Sequence, residues 1–301
     1  MASQLAGRAA LALVFNALVW GLSWWPLRQL DAQGVHPLWA TVLIYAPTVL
    51  VIAAWRPRAV GQLLTQWPLW VLALAAGLTN AAFNWGTVIG DVVRVVLLFY
   101  LMPLWSVLLA RVLLKEPVTL AAGARIALAL LGAGIVLRPE GATGWAVLPF
   151  PQSLADGLGL LGGFTFALNN VMLKREADRP EEGRALAMFV GGAVVAGALA
   201  AALSALGRVP WPLAGGVAAL PWWAIALALT MSVLFLCSNL ALQFGASRLP
   251  IHVTSVLMLS EVLVAAGSAA LLGAGRITVP LLLGGAMIVA AAVWATRDGA
   301  H

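Results

Sequence analysis

Charged residues are scarce in this chain of 301 residues. Only 9% of them are Asp, Glu, Lys or Arg, whereas 62% are hydrophobic. A soluble domain carries about 25% charged residues, so most side chains of this chain must face lipid or other helices. This composition excludes most soluble functions and indicates a protein that works within or across a bilayer.

Cysteine is nearly absent as well. The single cysteine, Cys237, lies in an apolar run, which excludes a disulfide framework and a metal site built from thiolates. The chain has no Gly-x-x-x-x-Gly-Lys-Ser/Thr phosphate loop, so it carries no ATP-driven pump motif of its own. The net charge of +6 is spread over many short loops, so we expect no nucleic-acid partner. We also expect no cofactor, no metal site and no catalytic residues.

The sequence does contain ten apolar stretches of roughly twenty residues, the length of helix that crosses a hydrocarbon core of about 30 Å. We therefore predict an all-α integral membrane protein with ten transmembrane helices. The first stretch is too long and too rich in Trp for a cleaved signal, so we count it as a span. The predicted spans are residues 9–29, 36–54, 69–88, 92–113, 119–138, 155–175, 184–205, 222–246, 250–272 and 278–296.

Lys and Arg are distributed unequally between alternate loops. With the N-terminus in the cytoplasm, eleven basic residues lie in cytoplasmic loops and five lie in the opposite loops. Short cytoplasmic loops retain positive charge. We therefore predict a multi-pass protein of a bacterial-type inner membrane with both termini in the cytoplasm.

The ten spans divide into two sets of five. Because five is odd, a second set that repeats the first enters the membrane from the opposite side, as in the inverted repeats of secondary transporters. Asn84 and Asn239 occupy similar places in the third span of each half. We predict one repeat over residues 1–138, a connecting loop over 139–154, and an inverted repeat over 155–301, arranged around a central cavity.

Polar and aromatic residues recur at helical spacing on the first, third, fourth, sixth, eighth and ninth spans. A polar group that faces lipid is costly, so we expect these six spans to form an inner ring around the pathway. The other four spans consist mainly of small and aliphatic residues and are predicted to lie outside. For any one amide, the alternative is an ordinary hydrogen bond between helices. The candidate substrate-binding residues are Trp20, Trp24, Asn80, Phe83, Asn84, Tyr100, Trp105, Phe166, Asn169, Asn239 and Glu261, and Pro103 is a candidate hinge.

Glu261 is the one acidic residue placed deep inside a predicted span. It lies eleven residues past Pro250, or about 16 Å of helical rise, near the middle of the membrane. An ionised carboxylate is costly at that depth. Glu261 is therefore predicted to bond across helices, to pair with a substrate ammonium, or to carry a proton.

Three short motifs are similar to those of a known family. Residues 20–24 (WGLSW) resemble the Trp-Gly-x-Ser-aromatic opening of the drug/metabolite transporter superfamily, EamA type. Residues 113–119 (LLKEPVT) resemble its Leu-Gly-Glu-Pro-x-Ser/Thr segment, and residues 259–261 (LSE) are similar to its Leu-Glu-Pro. Val262 departs from this pattern, because it stands where the family has proline, and residues 272–275 lack the glutamate of the second Leu-Gly-Glu segment.

Two further motifs resemble the YddG-type aromatic amino-acid exporters, namely residues 100–103 (YLMP) and 294–297 (WATR). The resemblance implies a ten-helix protein of two inverted repeats that exports amino acids and related metabolites by alternating access through a central cavity. The alternative is a multidrug or other small-metabolite exporter of the same superfamily. An intramembrane enzyme is less consistent with the sequence, because Glu261 has no second deep acid, metal cluster or nucleophile with a base.

The resemblance implies a small molecule, an amino acid or metabolite, as the substrate, and the composition implies the lipid bilayer as surroundings. The substrate would rest its side chain against aromatic rings, while amide and indole N–H groups meet its carboxylate. The sequence leaves the oligomeric state open, and a monomer is our working hypothesis.

Overall fold

The computed structural model describes residues 2–115, 120–138, 150–176, 178–211, 220–246, 257 and 260–298. These ranges are helical throughout, apart from short turns, and contain no strand. The all-α fold class is therefore confirmed for the described residues. Three predicted features lie outside them: most of the connecting loop, the Glu-Pro-Val-Thr part of the 113–119 motif, and the beginning of the ninth span.

The helices begin and end close to the predicted spans. Two differences stand out: the first and fourth spans are each divided between two helices, and a short helix that was not predicted precedes the third span. The helices are α1 Ala2–Leu22, α2 Trp24–Asp31, α3 Pro37–Trp55, α4 Pro57–Thr65, α5 Trp67–Ile89, α6 Val92–Phe99, α7 Met102–Leu109 followed by a π-helical turn Ala110–Leu114, α8 Leu120–Leu137, α9 Leu154–Arg175, α10 Glu181–Ala205, α11 Trp222–Ala246, α12 Ser260–Leu271 and α13 Val279–Asp298.

Six of these segments are long and apolar enough to cross a membrane. They are Gly7–Asp31, Pro37–Trp55, Trp67–Ile89, Val92–Leu113, Glu181–Ala205 and Trp222–Leu242. The fifth, ninth and tenth predicted spans contain the shorter apolar helices Ile126–Val136, Ser260–Leu271 and Val279–Ala291. Helix α9, at the sixth predicted span, has 22 residues and contains several polar ones. A protein with several membrane-spanning helices is thus supported, and a total of ten crossings stays a prediction.

Local chemistry explains the two divided spans. At Ser23 both the backbone N–H and Oγ donate to the carbonyl of Trp20, at 3.2 and 2.8 Å, and this turn separates α1 from α2. Tyr100 and Leu101 separate α6 from α7, and Pro103 follows in the first turn of α7. Proline has no N–H to continue the helical bonds, so the helix cannot run unbroken through this point. The candidate hinge therefore lies at a real break between helices.

The contacts between helices repeat along the chain. A contact between two spans corresponds to a second contact between the spans that lie five positions away, and we call two spans related in this way counterparts. Helix α5 packs against α9 and α10, and its counterpart α11 packs against α1 and α3. Helices α6 and α7 pack against α9, while α12, from the ninth span, packs against α1. Three contacts join a span to its own counterpart: α3 with α10, α6 with α12, and α8 with α13. Most of the contacts that hold the protein together therefore join its first half to its second half.

The contact between α8 and α13 is reciprocal at two glycines. A Cβ atom on Gly132 would lie 2.6 Å from the carbonyl oxygen of Gly284, and one on Gly284 would lie 2.5 Å from that of Gly132. Only glycine allows two helix backbones to approach so closely. The close contact of α8 with α13 therefore depends on glycine at both positions.

We expect Gly132→Ala to lower the free energy of unfolding by about 1–3 kcal/mol, because the added methyl group forces the two backbones apart. Gly123→Ala is the matched control, since a Cβ atom at Gly123 on the same helix meets nothing within 4 Å. Thermal unfolding of both variants in detergent measures the difference. Equal midpoints for the two variants would contradict the close approach.

Candidate functional site

The interior contains a continuous series of aromatic contacts that passes through α10, α3, α11, α1, α5, α6 and α9. Successive ring centroids lie between 4.5 and 6.3 Å apart, within the range of favourable aromatic pairs. We call this group the aromatic series. Its members, in spatial order, are Phe189, Tyr45, Phe235, Trp20, Phe83 and Phe99, and Phe99 contacts both Tyr100 and Phe166.

Four of the predicted site residues belong to the aromatic series: Trp20, Phe83, Tyr100 and Phe166. Trp20 holds a central place, because Phe235 stacks on its indole at 4.5 Å with an interplanar angle of 13°. Phe83 meets the same indole at 6.3 Å and 78°. Residues from four separate predicted spans therefore meet in one place.

The second feature of the site is a buried hydrogen bond between the fourth and ninth spans. The Tyr100 hydroxyl donates to Glu261 Oε2 at 3.2 Å. Tyr100 is 3% exposed and Glu261 is 8% exposed. Glu261 is thus buried and bonded across helices rather than turned toward lipid, which satisfies one of the predicted roles and leaves the other two open.

Gly21 allows α1 to pack closely against the helix that carries Glu261. A Cβ atom on Gly21 would lie 3.0 Å from the Glu261 carbonyl oxygen and 2.8 Å from a methyl group of Val264. Further along the same contact, Trp24 Nε1 donates to Ser268 Oγ at 3.1 Å. The 20–24 motif thus combines Trp20 of the aromatic series with a glycine and a second tryptophan that hold α1 and α2 against α12.

Two of the predicted asparagines, Asn80 and Asn84, form hydrogen bonds with neighbouring groups. Asn80 Oδ1 accepts a hydrogen bond from the Tyr45 hydroxyl at 2.7 Å, and Asn80 Nδ2 donates to the Ala76 carbonyl at 2.8 Å. Asn84 Nδ2 donates to Thr41 Oγ1 at 3.0 Å. Through these bonds α3, which was predicted to lie outside, contributes Tyr45 and Thr41 to the polar interior.

Three predicted residues carry a buried polar atom that has no partner among the described residues. These atoms are Asn84 Oδ1, Asn169 Oδ1 and Trp105 Nε1. Buried polar atoms are nearly always hydrogen-bonded, so each marks a place that a water molecule or a ligand can complete. Trp105 packs edge-on against Phe164 at 5.6 Å. Asn239 lies half-buried on α11.

Two residues with site contacts are not among the candidate substrate-binding residues. Tyr45 lies in a span that is mostly apolar, although it is one of only two tyrosines in the chain. Phe235 lies four residues before Asn239, and this helical spacing places it on the same face of α11. In the structure Phe235 contacts Tyr45 as well as Trp20.

Charged residues join helices at one end of the bundle, on the side predicted to face away from the cytoplasm. Arg94 Nε and Nη2 donate to the two carboxylate oxygens of Asp156 at 2.6 and 3.0 Å, and Nη1 donates to the Val136 carbonyl at 2.6 Å. Asp91 accepts from the backbone N–H of Arg276 at 2.8 Å. These bonds join α6 to α8, to α9 and to the loop before α13.

Residues 7–138 match the EamA-like transporter family. The resemblance inferred from the short motifs is therefore confirmed over this part of the chain. The family match and the apolar helices together support a multi-pass membrane protein whose residues 7–138 are similar to EamA-like transporters.

A curated relative supports the same relationship. It is described as a probable terminal-alkyne amino-acid exporter of Streptantibioticus cattleyicolor, and it is 33% identical over 154 residues. The alignment covers 47% of this chain and 50% of the relative, so the chain matches about half of that protein's length. A solved crystal structure, described only as a protein, aligns with 96% of each chain at a TM-score of 0.55 and 21% identity, which is a likeness of fold.

We expect Tyr45→Phe and Asn80→Ala to interact in a double-mutant cycle, because each removes one end of the same buried hydrogen bond. Such bonds between membrane helices contribute about 0.6 kcal/mol on average. The cycle is measured as thermal unfolding of the two single variants, the double variant and the wild type in detergent. Strict additivity of the two substitutions would contradict the bond.

Proposed function

We propose, from the transporter family match and the site geometry, that this chain is a secondary transporter of a bacterial-type inner membrane. It exports amino acids with aromatic or hydrophobic side chains, and related metabolites, by alternating access. The curated relative, itself described as a probable amino-acid exporter, supports this substrate class. The proposed role is transport and not catalysis, and the proposed working unit is a monomer.

The proposed architecture is two inverted five-helix repeats, residues 1–138 and 155–301, around a central cavity. The paired helix contacts support it, because an inverted repeat relates each contact to one five spans further on. Side-chain bonds follow the same pairing: Thr79 Oγ1 donates to Thr165 Oγ1 between the third and sixth spans, and Asn16 Nδ2 donates to Ser238 between the first and eighth. The reciprocal contact of Gly132 with Gly284 supports a pseudo-twofold axis through the fifth and tenth spans.

The proposed substrate site combines an acceptor, a donor and an apolar wall. Glu261 would pair with the substrate ammonium, and the unpaired indole N–H of Trp105 is available to its carboxylate. Trp20, Phe83 and Phe166, the predicted site residues with rings in the aromatic series, would hold the side chain. The proposed binding residues are those predicted from the sequence: Trp20, Trp24, Asn80, Phe83, Asn84, Tyr100, Trp105, Phe166, Asn169, Asn239 and Glu261.

Alternating access would require two changes in this structure. The Arg94–Asp156 ion pair, which joins the two halves, would separate when its end of the protein opens. Pro103, at the break between α6 and α7, would act as the hinge. In this proposal the ion pair controls opening and takes no direct part in substrate binding.

One observation carries the proposal more than any other: a buried carboxylic acid, bonded to Tyr100 beside the aromatic series, in a chain related to transporters. An acid kept inside a membrane protein without a basic partner usually serves a substrate or a proton. Among the described residues no Lys or Arg hydrogen-bonds to Glu261.

The purified full chain in liposomes tests the proposed function. Liposomes loaded with unlabelled phenylalanine are expected to take up labelled phenylalanine and leucine by counterflow, whereas liposomes without protein take up neither. A parallel series with cationic drugs separates the alternative. Drug uptake without amino-acid counterflow would replace the amino-acid proposal with the multidrug one.

We expect Glu261→Gln to fold but to lose transport, or to keep transport and lose its dependence on pH. The amide keeps the shape of the side chain but has no charge and no proton that it can release or take up at physiological pH. Initial rates in liposomes across a range of pH measure the effect. Glu181→Gln, at an exposed position before the seventh span, is the matched control and is expected to behave as wild type. An unchanged pH profile and rate for Glu261→Gln would remove this residue from the mechanism.

A further inference from the structure

We infer that Phe235 positions the Trp20 indole and thereby gives the site its preference for flat aromatic side chains. The inference rests on the proposed amino-acid transport and adds a residue outside the predicted site. The supporting observation is that the Phe235 ring contacts both Tyr45 and Trp20.

Phe235 is firmly held. Its side chain is 2% exposed, and its ring lies between Tyr45, at 5.8 Å, and Trp20, at 4.5 Å. The near-parallel stack covers one face of the Trp20 indole. Trp20 itself is only partly buried, so a substrate has the uncovered side of the indole to contact. Phe235 therefore fixes the plane that such a substrate would meet.

The two halves of the chain differ at this position. The predicted repeat aligns Asn84 with Asn239, which places Asn80 opposite Phe235 in the pairing. Both residues contact Tyr45, Asn80 through a hydrogen bond and Phe235 through its ring. Tyr45 thus contacts a polar residue of the first half through its hydroxyl group and an aromatic residue of the second half through its ring.

An amino acid has the same two-part character, with a charged head and a side chain. In the proposed site the head would meet Glu261 and the Trp105 indole N–H, and the side chain would lie against the Trp20 indole. A fixed indole plane favours a planar side chain, because an offset or edge-on ring pair gains more than contact with a branched aliphatic group. The chemical class selected is therefore the aromatic amino acids over the aliphatic ones.

Loss of the supporting ring should weaken this selection by a measurable factor. An aromatic pair is worth about two- to tenfold in an equilibrium constant. We expect Phe235→Leu to reduce the phenylalanine-to-leucine ratio of kcat/KM by about that factor. The change should fall on the KM for phenylalanine, while kcat for leucine stays the same.

The ratio is measured with both substrates in one preparation of liposomes, so the amount of folded protein cancels. Phe235→Tyr keeps the ring and is expected to keep the ratio. Phe189→Leu is the matched control, because Phe189 also contacts Tyr45, at 5.6 Å, but contacts Trp20 only through that ring. If Phe235→Leu does not fold, Phe235→Met takes its place.

The outcomes separate this inference from the proposed function. A lower ratio in Phe235→Leu, with Phe235→Tyr and Phe189→Leu like wild type, supports the role of Phe235. An unchanged ratio in Phe235→Leu, or an equal loss in Phe189→Leu, overturns it while amino-acid transport stands. Wild-type liposomes that transport neither substrate overturn the proposed function, and the inference with it.

Discussion

A polar group inside a hydrocarbon layer must find its partner within the protein, because lipid offers no hydrogen bonds. This constraint joins residues that are far apart in the sequence. Asn80 meets Tyr45, Thr79 meets Thr165, and Tyr100 meets Glu261. Each bond links two helices, and most of the helix contacts around them link the two halves of the chain. The halves therefore depend on each other for their polar groups.

Glycine and aromatic residues also determine how these helices pack. Gly21 lets α1 approach α12 closely enough for Glu261 to lie in the interior, and Gly132 and Gly284 do the same for α8 and α13. Rings of the aromatic series pack between these helices in the interior. The result is an interior that is polar near Asn80 and Glu261 and aromatic near Trp20. A substrate with a charged head and an apolar side chain would match both parts.

Part of the candidate site was predictable. Asn80 and Glu261 were identified because a polar residue in an apolar run needs an explanation, and Trp20 because it lies too deep to anchor at an interface. The break at Pro103 was predictable from its missing N–H. Tyr45 and Phe235 were not counted among the substrate-binding residues, because a ring in an apolar helix packs in many environments. Nothing local distinguishes one that touches a site residue from one that fills the core.

The sequence by itself determined the class of protein, the approximate helices and the family relationship of its first half. Composition, the length of apolar stretches and short motifs are local properties. They can be read without knowing which residues are neighbours in the folded protein. Only the tertiary structure decided that Phe235 stacks on Trp20, that Tyr100 bonds to Glu261, and that α3 contributes to the polar interior. Helical spacing shows which residues share a face, but the partner of that face depends on how the helices pack.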